Sequence, residues 1–241
     1  MERHPLKNPK ISVVIPAYNE ALVIGSTIEA ILRQTHPNFE IIVVNNASSD
    51  NTADVVSRFP VRLVHETQKG LLFARDRGRK EATGDIVANI DADCLPDINW
   101  MTNAVKHFED ARIVAVSGPY NYHDGHPFFK HTSFFIQSYI YRAVAYILQL
   151  SFIKGGAVQI GGNNMIRADV LREMGGYNTN LLFYGEDTDT AKRVSKYGYI
   201  VFSPKIYMKT SARRFKDEGT IKMTAKYLFH FFKHTFKSTA K

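Results

Sequence analysis

The sequence predicts an α/β protein in which a mostly parallel central sheet is flanked by helices. Over the first 120 residues, short β-branched runs alternate with stretches that repeat apolar residues at helical spacing, an order typical of βαβ units. Polar clusters follow three of the runs, at residues 16–20, 45–50 and 91–93. Because ligands of such sheets bind beyond the carboxyl ends of the strands, these clusters are the first candidates for a site.

The individual elements follow from this alternation. Residues 11–15 form an apolar, β-branched run that ends at Pro16 and is predicted to be a buried strand. Residues 21–34 place aliphatic side chains at roughly helical spacing and predict a helix. The elements that follow are predicted as strands at residues 39–44, 61–64 and 86–90 and as helices at residues 51–58 and 71–82.

Residues 128–153 differ from this pattern because they are rich in aromatic and aliphatic side chains. Charges at Lys130, Arg142 and Lys154 leave uncharged runs of only 11 residues, whereas a membrane-spanning helix needs about 20. The stretch is therefore predicted to be a pair of buried or interfacial helices and not a transmembrane segment.

The composition is that of a globular protein. Of the 241 residues, 44% are hydrophobic and 22% are charged, which argues against disorder. The single cysteine, Cys94, excludes an intramolecular disulfide framework and suits a reducing compartment. The first apolar run, residues 11–15, is too short for the apolar core of a signal peptide, so secretion by a cleaved signal is not expected.

The excess positive charge lies at the C-terminal end. Residues 1–204 contain 21 Lys and Arg against 21 Asp and Glu, whereas residues 205–241 contain ten against two. A basic segment attracts nucleic acid or an anionic membrane surface. No recognisable RNA or DNA module accompanies it, so a nucleic-acid partner is not expected.

The same tail is predicted to form an amphipathic helix. Its basic arc would suit a membrane interface, but a helix docked on the protein by its apolar face needs the same pattern. The basic arc consists of Lys222, Lys226, Lys233 and Lys237, with His230 and His234 beside them. The apolar side consists of Ile221, Ala225, Leu228, Phe229, Phe231, Phe232 and Phe236.

Asp91-Ala92-Asp93 ends a predicted strand and supports two interpretations. Two carboxylates one residue apart can bind Mg²⁺ or Mn²⁺, which prefer oxygen ligands and complete their shell with water and phosphate. An acidic turn that caps a helix before Pro96 is the other interpretation.

The other two polar turns contain candidates for recognition of a nucleotide. The turn at Asn45-Asn46 caps the next helix, with Asp50 or Asn51 as the N-cap, and the Asn46 amide would also suit the edge of a base. Tyr18 offers a surface on which a base can stack. The glycine-rich signatures of dinucleotide-binding and Walker loops are missing from the sequence, as is any Cys/His zinc spacing.

Taken together, the motifs resemble those of family-2 glycosyltransferases, which are inverting enzymes with a GT-A fold. Their order and spacing carry the resemblance, which extends over residues 10–215. The matching segments are residues 11–20, 42–52, 69–70, 74–76, 82–85, 91–93, 161–163, 175–177 and 185–189, followed by Arg193 and Gly198.

The resemblance implies transfer of a sugar from a nucleotide-diphosphate sugar to an acceptor hydroxyl, in the assembly of a cell-surface glycan, polysaccharide or glycolipid. Asp93, with help from Asp91, would hold Mn²⁺ or Mg²⁺ on the diphosphate. Asp187 would be the general base, and Glu186 beside it would raise the pKa of Asp187 by like-charge repulsion. The alternative is a purely structural role, in which Glu186 and Asp187 form the acidic first turn of a helix over residues 188–196.

The resemblance also assigns the substrate-binding residues. Gly161, Gly162 and Asn163 would let the backbone approach the sugar or acceptor closely, with a simple turn as the alternative. Arg213 and Arg214 would close over the diphosphate, or belong only to the basic tail. The donor nucleotide would contact Pro16, Ala17, Tyr18, Glu20, Asn46, Lys69, Arg75, Asp91, Arg213 and Arg214.

The predicted organisation is a single GT-A domain over residues 1–215, with a nucleotide-binding half at residues 10–120 and an acceptor-binding half at residues 121–215, before a basic tail at residues 216–241. The Gln-x-x-Arg-Trp signature of processive members is missing, because Trp100 is the sole tryptophan. The resemblance therefore implies addition of one sugar per encounter.

Asn45-Asn46 stands where the family more often has two aspartates, so the base is not implied. This departure also supports an alternative of another class, a nucleotide-sugar-binding protein without catalytic turnover. Because resembling enzymes often use lipid-linked acceptors, the expected location is cytoplasmic, with the tail bound peripherally to the anionic inner face of the cell membrane.

Overall fold

The computed structural model describes residues 3–150, 159–181 and 185–236, with the backbone alone at residues 148–150, 221, 228, 230–232 and 234–236. The strands are β1 (Ile11–Ala17), β2 (Phe39–Asn45), β3 (Arg62–His65), β4 (Ile86–Ile90), β5 (Leu95–Pro96), β6 (Ile113–Ser117), β7 (Tyr120–Tyr122), β8 (Asn163–Arg167), β9 (Tyr199–Phe202) and β10 (Met208–Thr210). The α-helices are α1 (Ile24–Leu32), α2 (Thr52–Val56), α3 (Leu71–Glu81), α4 (Trp100–Val105), α5 (Pro127–Phe135), α6 (Arg142–Leu150), α7 (Ala168–Glu173), α8 (Glu186–Val194), α9 (Arg213–Glu218) and α10 (Thr220–Phe236), with a 3₁₀ helix at Lys106–Glu109 and a π-helix at Ile136–Tyr141.

The central sheet contains seven strands in the order β3-β2-β1-β4-β8-β6-β9. β1 pairs in parallel with β2 and β4, β2 pairs in parallel with β3, and β6 pairs in parallel with β9. β8 runs antiparallel between β4 and β6. The predicted α/β class with a mostly parallel sheet is therefore confirmed. Each strand and helix predicted over residues 11–90 is present, with ends within three residues of the prediction.

Helices pack on both faces of this sheet. Alternate residues of β1 point to opposite faces, and both sets are fully buried. Val13 packs in the cluster that contains Ile28 of α1 and Trp100 of α4, whereas Val14 packs in the cluster that contains Leu72 of α3. Burial on both faces explains why the sequence of β1 is nearly continuous in apolar residues.

The two predicted halves of the domain share one core. β8 and β9 come from residues 121–215, yet they complete the sheet that residues 10–120 begin. A small second sheet in the order β5-β10-β7 lies beside it, and in this sheet β10 is parallel to β7 and antiparallel to β5. Its strand β5 follows directly after the predicted metal-binding turn at residues 91–93.

Residues 127–150, named here the rim helix, form one continuous helix made of α5, the π-helix and α6. Pro127 occupies its first turn, and the His126 ring accepts a hydrogen bond from the backbone N–H of Phe128 at 3.3 Å. The prediction of a helix pair is wrong because Ile136–Tyr141 continues the helix without a break. Of the predicted stretch, residues 151–153 lie outside the described residues. Across the described ranges, no helix combines the length and the apolar character needed to cross a bilayer.

The predicted C-terminal helix is present as α10, and it packs against α8 and α9. Gly219, with φ +86°, separates it from α9, so the predicted boundary at residue 216 lies inside α9 rather than at the start of the tail helix. Met223 is fully buried, whereas Lys222 and Lys233 are exposed. The residues assigned to its two faces whose side chains lie outside the description are Ile221, Leu228, His230, Phe231, Phe232, His234, Phe236 and Lys237.

Candidate active site

A cavity of about 1200 Å³ opens at the carboxyl ends of β1, β2 and β4. The three polar loops predicted to meet at this edge all contribute to its lining. Of the predicted site residues, those that line it are Pro16, Ala17, Tyr18, Glu20, Asn46, Lys69, Arg75, Asp91, Asp93, Gly162, Glu186, Asp187, Arg213 and Arg214.

Arg75 of α3 lies at the centre of the acidic part of this cavity. Its Nη2 is 3.3 Å from Asp91 Oδ1, and its Nη1 is 3.8 Å from Asp187 Oδ1. The Arg75 side chain is only 5% exposed, whereas each of the two carboxylate side chains is 38% exposed. Tyr120 donates its hydroxyl hydrogen to Asp91 Oδ2 at 3.0 Å. Arg75 therefore bridges the predicted metal-binding turn and the predicted base.

The charges around Arg75 keep it ionised. Burial lowers the pKa of Arg75, but the neighbouring carboxylates Asp91, Asp187 and Glu186 offset this effect, so that its pKa is raised overall. The sequence predicted Arg75 as a contact of the donor nucleotide. In the structure its guanidinium pairs with two carboxylates of the site, those of Asp91 and Asp187.

Glu186 and Asp187 begin α8, after Gly185 in a left-handed conformation (φ +94°). The helix thus starts two residues earlier than predicted, and its N-terminal dipole favours both carboxylates. Burial is the main cause that raises the pKa of Glu186, to about 8, and the charge of Asp187 adds to it. Burial also raises the pKa of Asp187, and Arg75 and the backbone N–H of Gly161 oppose that rise.

Glu186 and Asp187 affect each other's ionisation. Beyond burial, the charge of Asp187 raises the pKa of Glu186, which is the like-charge repulsion that the sequence predicts for this pair. Burial raises the pKa of Asp187, with Asp91 as a further like charge. A raised pKa suits Asp187 to accept a proton.

Asp93 does not cap a helix. α4 begins at Trp100, and the side chain that accepts from its N-terminal region is Asp97, whose Oδ1 is 3.0 Å from the Asn99 backbone nitrogen. Burial raises the pKa of Asp93, and the charge of Asp91 raises it further. The capping interpretation of Asp91-Ala92-Asp93 is thus contradicted, and the turn presents its acidic groups to the cavity.

Gly161 and Gly162 lie against the acidic groups. A Cβ atom at Gly161 would overlap Asp187 Oδ1 and lie 2.7 Å from Arg75 Nη1. A Cβ atom at Gly162 would overlap the carboxylate of Asp91 and the hydroxyl of Tyr120. The two glycines therefore make room for the carboxylates themselves, a close approach that the sequence assigned to the sugar or acceptor.

The prediction that Asn163 contacts the sugar is wrong. Asn163 is fully buried, and its Oδ1 accepts from Trp100 Nε1 at 2.9 Å. Its Nδ2 donates to the backbone oxygens of Gly118 and Ile206, each at 2.9 Å. The side chain holds three segments beneath the cavity, and no part of it is left for a ligand.

The nucleotide side of the cavity contains Tyr18, Asn46 and Lys69. Tyr18 is 47% exposed, with Lys69 Nζ 5.0 Å from its ring centre and 3.2 Å from its hydroxyl. The Asn46 amide donates to the backbone oxygens of Glu66 and Gln68, at 3.2 and 2.6 Å, and accepts from Gly70 N–H at 2.8 Å. Asn46 thus fixes the loop at residues 66–70, and its role toward a base stays a prediction.

Arg213 and Arg214 extend from α9 to the cavity. Arg213 lies 3.8 Å from Glu20 Oε1 in an exposed ion pair. Burial lowers the pKa of Arg214, but Tyr227 and the acidic turn offset this effect, so that its pKa is raised. Asp124, which the sequence did not single out for this site, accepts from Ala212 N–H at 2.6 Å and from Ser211 Oγ at 2.8 Å, and so holds the start of α9.

A further set of lining residues escaped the sequence-based prediction. All but Gln159 belong to the rim helix, β7 and α10, and their separation in sequence gives no motif. The aromatic content of residues 128–153 was the available signal. These lining residues are Tyr120, Tyr122, Ile136, Gln137, Ile140, Tyr141, Val144, Gln159, Thr224 and Tyr227.

Comparison with known proteins agrees with this geometry. The family model described as Glycosyl transferase family 2 matches residues 12–175. The chain belongs to this family.

Two curated family relatives are similar to most of the chain. Glycosyltransferase AglE of Haloferax volcanii is 28% identical over 201 residues, which is 79% of this chain and 63% of the relative. The probable glycosyltransferase YdaM of Bacillus subtilis is 29% identical over 205 residues, 79% of this chain and 48% of the relative. The chain therefore spans about half to two thirds of the length of these relatives.

Solved structures confirm the GT-A type of fold. A mannosyltransferase from Pyrobaculum calidifontis, PcManGT, in complex with GDP-Man and Mn²⁺, has a TM-score of 0.74 and 26% identity, covering 99% of this chain and 68% of that one. TarS of S. aureus in complex with UDP has a TM-score of 0.68 and 18% identity, covering 84% and 60%. The second likeness concerns the fold alone.

Proposed function

We propose that the protein is an inverting glycosyltransferase that moves one sugar from a nucleotide-diphosphate sugar to an acceptor hydroxyl. The observation that carries this proposal is the pairing, in one cavity, of the acidic turn at residues 91–93 with the Asp187 carboxylate, bridged by Arg75. Membership of family 2 and the nucleotide sugar bound by PcManGT support it. We further propose that the product belongs to a cell-surface glycan, polysaccharide or glycolipid.

The acidic turn fits a divalent metal ion. Within the described residues, no cluster of three or more His, Cys, Asp or Glu side chains offers a complete metal site. Mg²⁺ and Mn²⁺ at such sites take one or two carboxylates and complete their shell with water and substrate phosphates. Burial and then the charge of Asp91 raise the pKa of Asp93, so a cation bound there would favour the charged carboxylate. Asp93, with Asp91, would hold Mn²⁺ or Mg²⁺, which would neutralise the diphosphate leaving group.

The residues of the chain then divide the reaction between them. Asp187 accepts the proton of the acceptor hydroxyl as its oxygen attacks the anomeric carbon. The bond from that carbon to the diphosphate oxygen breaks, and the nucleoside diphosphate leaves with the electron pair. A single displacement of this kind inverts the anomeric configuration. Arg213 and Arg214 lie where they can bind the departing phosphates.

We propose the location in the same terms. The protein would be cytoplasmic and held peripherally on the inner face of the cell membrane, with lysines of α10 on the anionic lipid surface. The exposure of Lys222 and Lys233 supports this proposal, since each lysine near such a surface contributes roughly 1 kcal/mol.

The proposed reaction is tested by incubating the protein with nucleotide sugars and Mn²⁺ and measuring donor hydrolysis and transfer. We expect Asp187→Asn to reduce turnover by roughly 10²-fold or more, as loss of a general base does. Asp189→Asn is the matched control, because Asp189 lies in the same helical turn but pairs with Arg193 at 3.9 Å outside the cavity lining. Metal-dependent nucleotide binding without turnover in the wild type would instead establish a binding protein.

A further inference from the structure

Large apolar side chains are exposed along the outer side of the rim helix. Phe128 is 75% exposed, Phe135 58%, Tyr139 61% and Tyr146 62%. We name these four residues the aromatic stripe. Phe128 and Phe135 are seven residues apart in α5, about two helical turns, which brings them to one side. The rings of Phe135 and Tyr139 lie 4.8 Å apart. Contiguous exposed apolar surface of this kind marks an interaction site.

The opposite side of the same helix is part of the cavity wall. Ile136, Gln137, Tyr141 and Val144 line the cavity that contains Asp187. The aromatic stripe is therefore separated from the candidate active site by the thickness of one helix. Whatever binds the stripe therefore lies one helix away from the cavity.

α10 is held on the same side of the cavity by aromatic contacts. The ring of Phe129 in the rim helix lies 5.0 Å from that of Phe215 in α9, and the Phe215 ring lies 6.3 Å from that of Tyr227 in α10. Tyr227 and Ile140 both line the cavity. The rim helix and α10 thus form two parts of one rim.

The positive charge of the rim helix and α10 favours an anionic partner. The rim helix contains no Asp or Glu but has Lys130 and Arg142. α10 likewise contains no Asp or Glu but has Lys222, Lys226 and Lys233. A second copy of the chain would place positive charge against positive charge in a self-complementary contact. An anionic lipid surface complements it. The tyrosines of the stripe, with an apolar ring and a polar hydroxyl, suit the boundary between headgroups and acyl chains.

We infer that the aromatic stripe docks on an anionic membrane, so that the cavity opens at the bilayer surface. This contact is separate from the lysines of α10 and does not depend on catalysis. One consequence rests on the proposed function: the acceptor is a lipid-anchored molecule whose hydroxyl reaches Asp187 past the rim helix.

The test compares the full chain with the variant Phe128→Ser/Phe135→Ser/Tyr139→Ser/Tyr146→Ser in co-sedimentation with phosphatidylcholine vesicles that contain phosphatidylglycerol. We expect the partition coefficient of the variant to fall by at least about tenfold, because four apolar side chains lose their burial. The matched control is Ile98→Ser/Tyr199→Ser, since these residues are 52% and 46% exposed outside the rim helix. The control should sediment like the wild type. Pure phosphatidylcholine vesicles should bind the wild type and the control variant only weakly.

Equal sedimentation of wild type and stripe variant would overturn the inference, as would a wild type that stays in the supernatant at low salt. Sedimentation velocity without vesicles tests whether the stripe binds a second copy of the chain instead. A wild-type dimer that the stripe variant converts to a monomer, with no binding of vesicles by either, would assign the stripe to a second copy. Because vesicle binding needs no turnover, an inactive protein that still binds vesicles through the stripe would refute only the proposed reaction.

Discussion

At the scale of single residues, the acidic centre depends on the two glycines Gly161 and Gly162, because neither has a Cβ atom. Gly161 leaves just enough room for Asp187 and Arg75. Gly161→Ala should therefore displace the Asp187 carboxylate and lower kcat/KM by roughly 10²-fold, the usual effect of a misplacement of about 1 Å. Steady-state kinetics checks this expectation. Gly25→Ala is the matched control, because a Cβ atom at Gly25 of α1 makes only an ordinary contact, 3.5 Å from the Phe59 ring.

The pH dependence of turnover follows from the surroundings of Asp187. A base works in its deprotonated form, so a raised pKa places the acid limb of the kcat/KM profile above the ordinary aspartate value of about 3.9. Activity is present above this limb and is lost as the pH falls through it. Because the Arg75 cation lowers the pKa of Asp187, Arg75→Gln should move the limb upward by about 1–3 pH units.

Arg75→Lys provides the control for this shift, because it keeps the positive charge while it loses the forked geometry. It should lower kcat and leave the limb near its wild-type position. An Arg75→Gln profile that coincides with the wild type would show that Asp187 is not the group that titrates.

At the scale of elements, α9 carries two arginines to the cavity and is held by a carboxylate that lies outside it. Asp124 accepts hydrogen bonds from Ala212 N–H and Ser211 Oγ and lies 3.2 Å from Lys216 Nζ. These contacts hold the pKa of Asp124 well below its usual range, against the effect of burial. They are therefore complete above the unfolded pKa of about 3.9 and weaken as the pH falls through the folded value.

Asp124→Asn should accordingly loosen α9 at neutral pH and raise the KM for the donor about fivefold, the equivalent of about 1 kcal/mol. The change in kcat should be smaller, and initial rates at varied donor concentration separate the two. Asp110→Asn is the matched control because Asp110 also pairs with a basic side chain, that of Arg112, but on an exposed turn away from α9. An unchanged KM would mean that α9 does not contribute to donor binding.

The elements differ in how well the sequence predicts them. β1, β2 and β4 are largely buried on both faces, so their apolar runs predict these strands to within two residues at each end. β8 is also buried, but it contains polar residues, including Asn163 and Asn164, that form internal hydrogen bonds. Its sequence therefore lacks the apolar run that would predict a strand. The continuity of the rim helix is consistent with the lack of proline and glycine at residues 128–150, but the charges that divide the stretch led to the prediction of two helices.

Sequence alone also fails where two chemical roles require the same residue type. A buried asparagine that joins segments and one that binds a sugar have the same side chain, and only the burial of Asn163 distinguishes them. The motif at residues 185–189 places Glu186 and Asp187 together, but the rise in their pKa values comes from burial. Arg75, which opposes this rise, is more than 100 residues away in the chain.

At the scale of the whole molecule, the candidate active-site cavity and the proposed membrane-docking stripe are formed by opposite sides of one helix. Ligand binding and vesicle binding should therefore be separable by mutation, even though the two sites adjoin. Binding of a ligand to the folded state alone stabilises it by RT ln(1 + [L]/Kd), about 2.7 kcal/mol at a hundredfold excess over Kd. For a chain of this size that is a rise in melting temperature of roughly 5–10 °C.

A thermal-shift screen of nucleoside diphosphates with Mn²⁺ should show such a rise for at least one nucleotide. Asp93→Asn should remove the part of the shift that requires Mn²⁺, because it removes a proposed metal ligand from the acidic turn, whereas Asp54→Asn, in the exposed first turn of α2, should keep the whole shift. The aromatic-stripe variant should also keep it, since none of its four residues lines the cavity. Loss of the nucleotide shift in the stripe variant would show instead that the rim helix is folded correctly only when its outer side is intact. A Mn²⁺-dependent shift that survives Asp93→Asn would remove Asp93 from the proposed metal site.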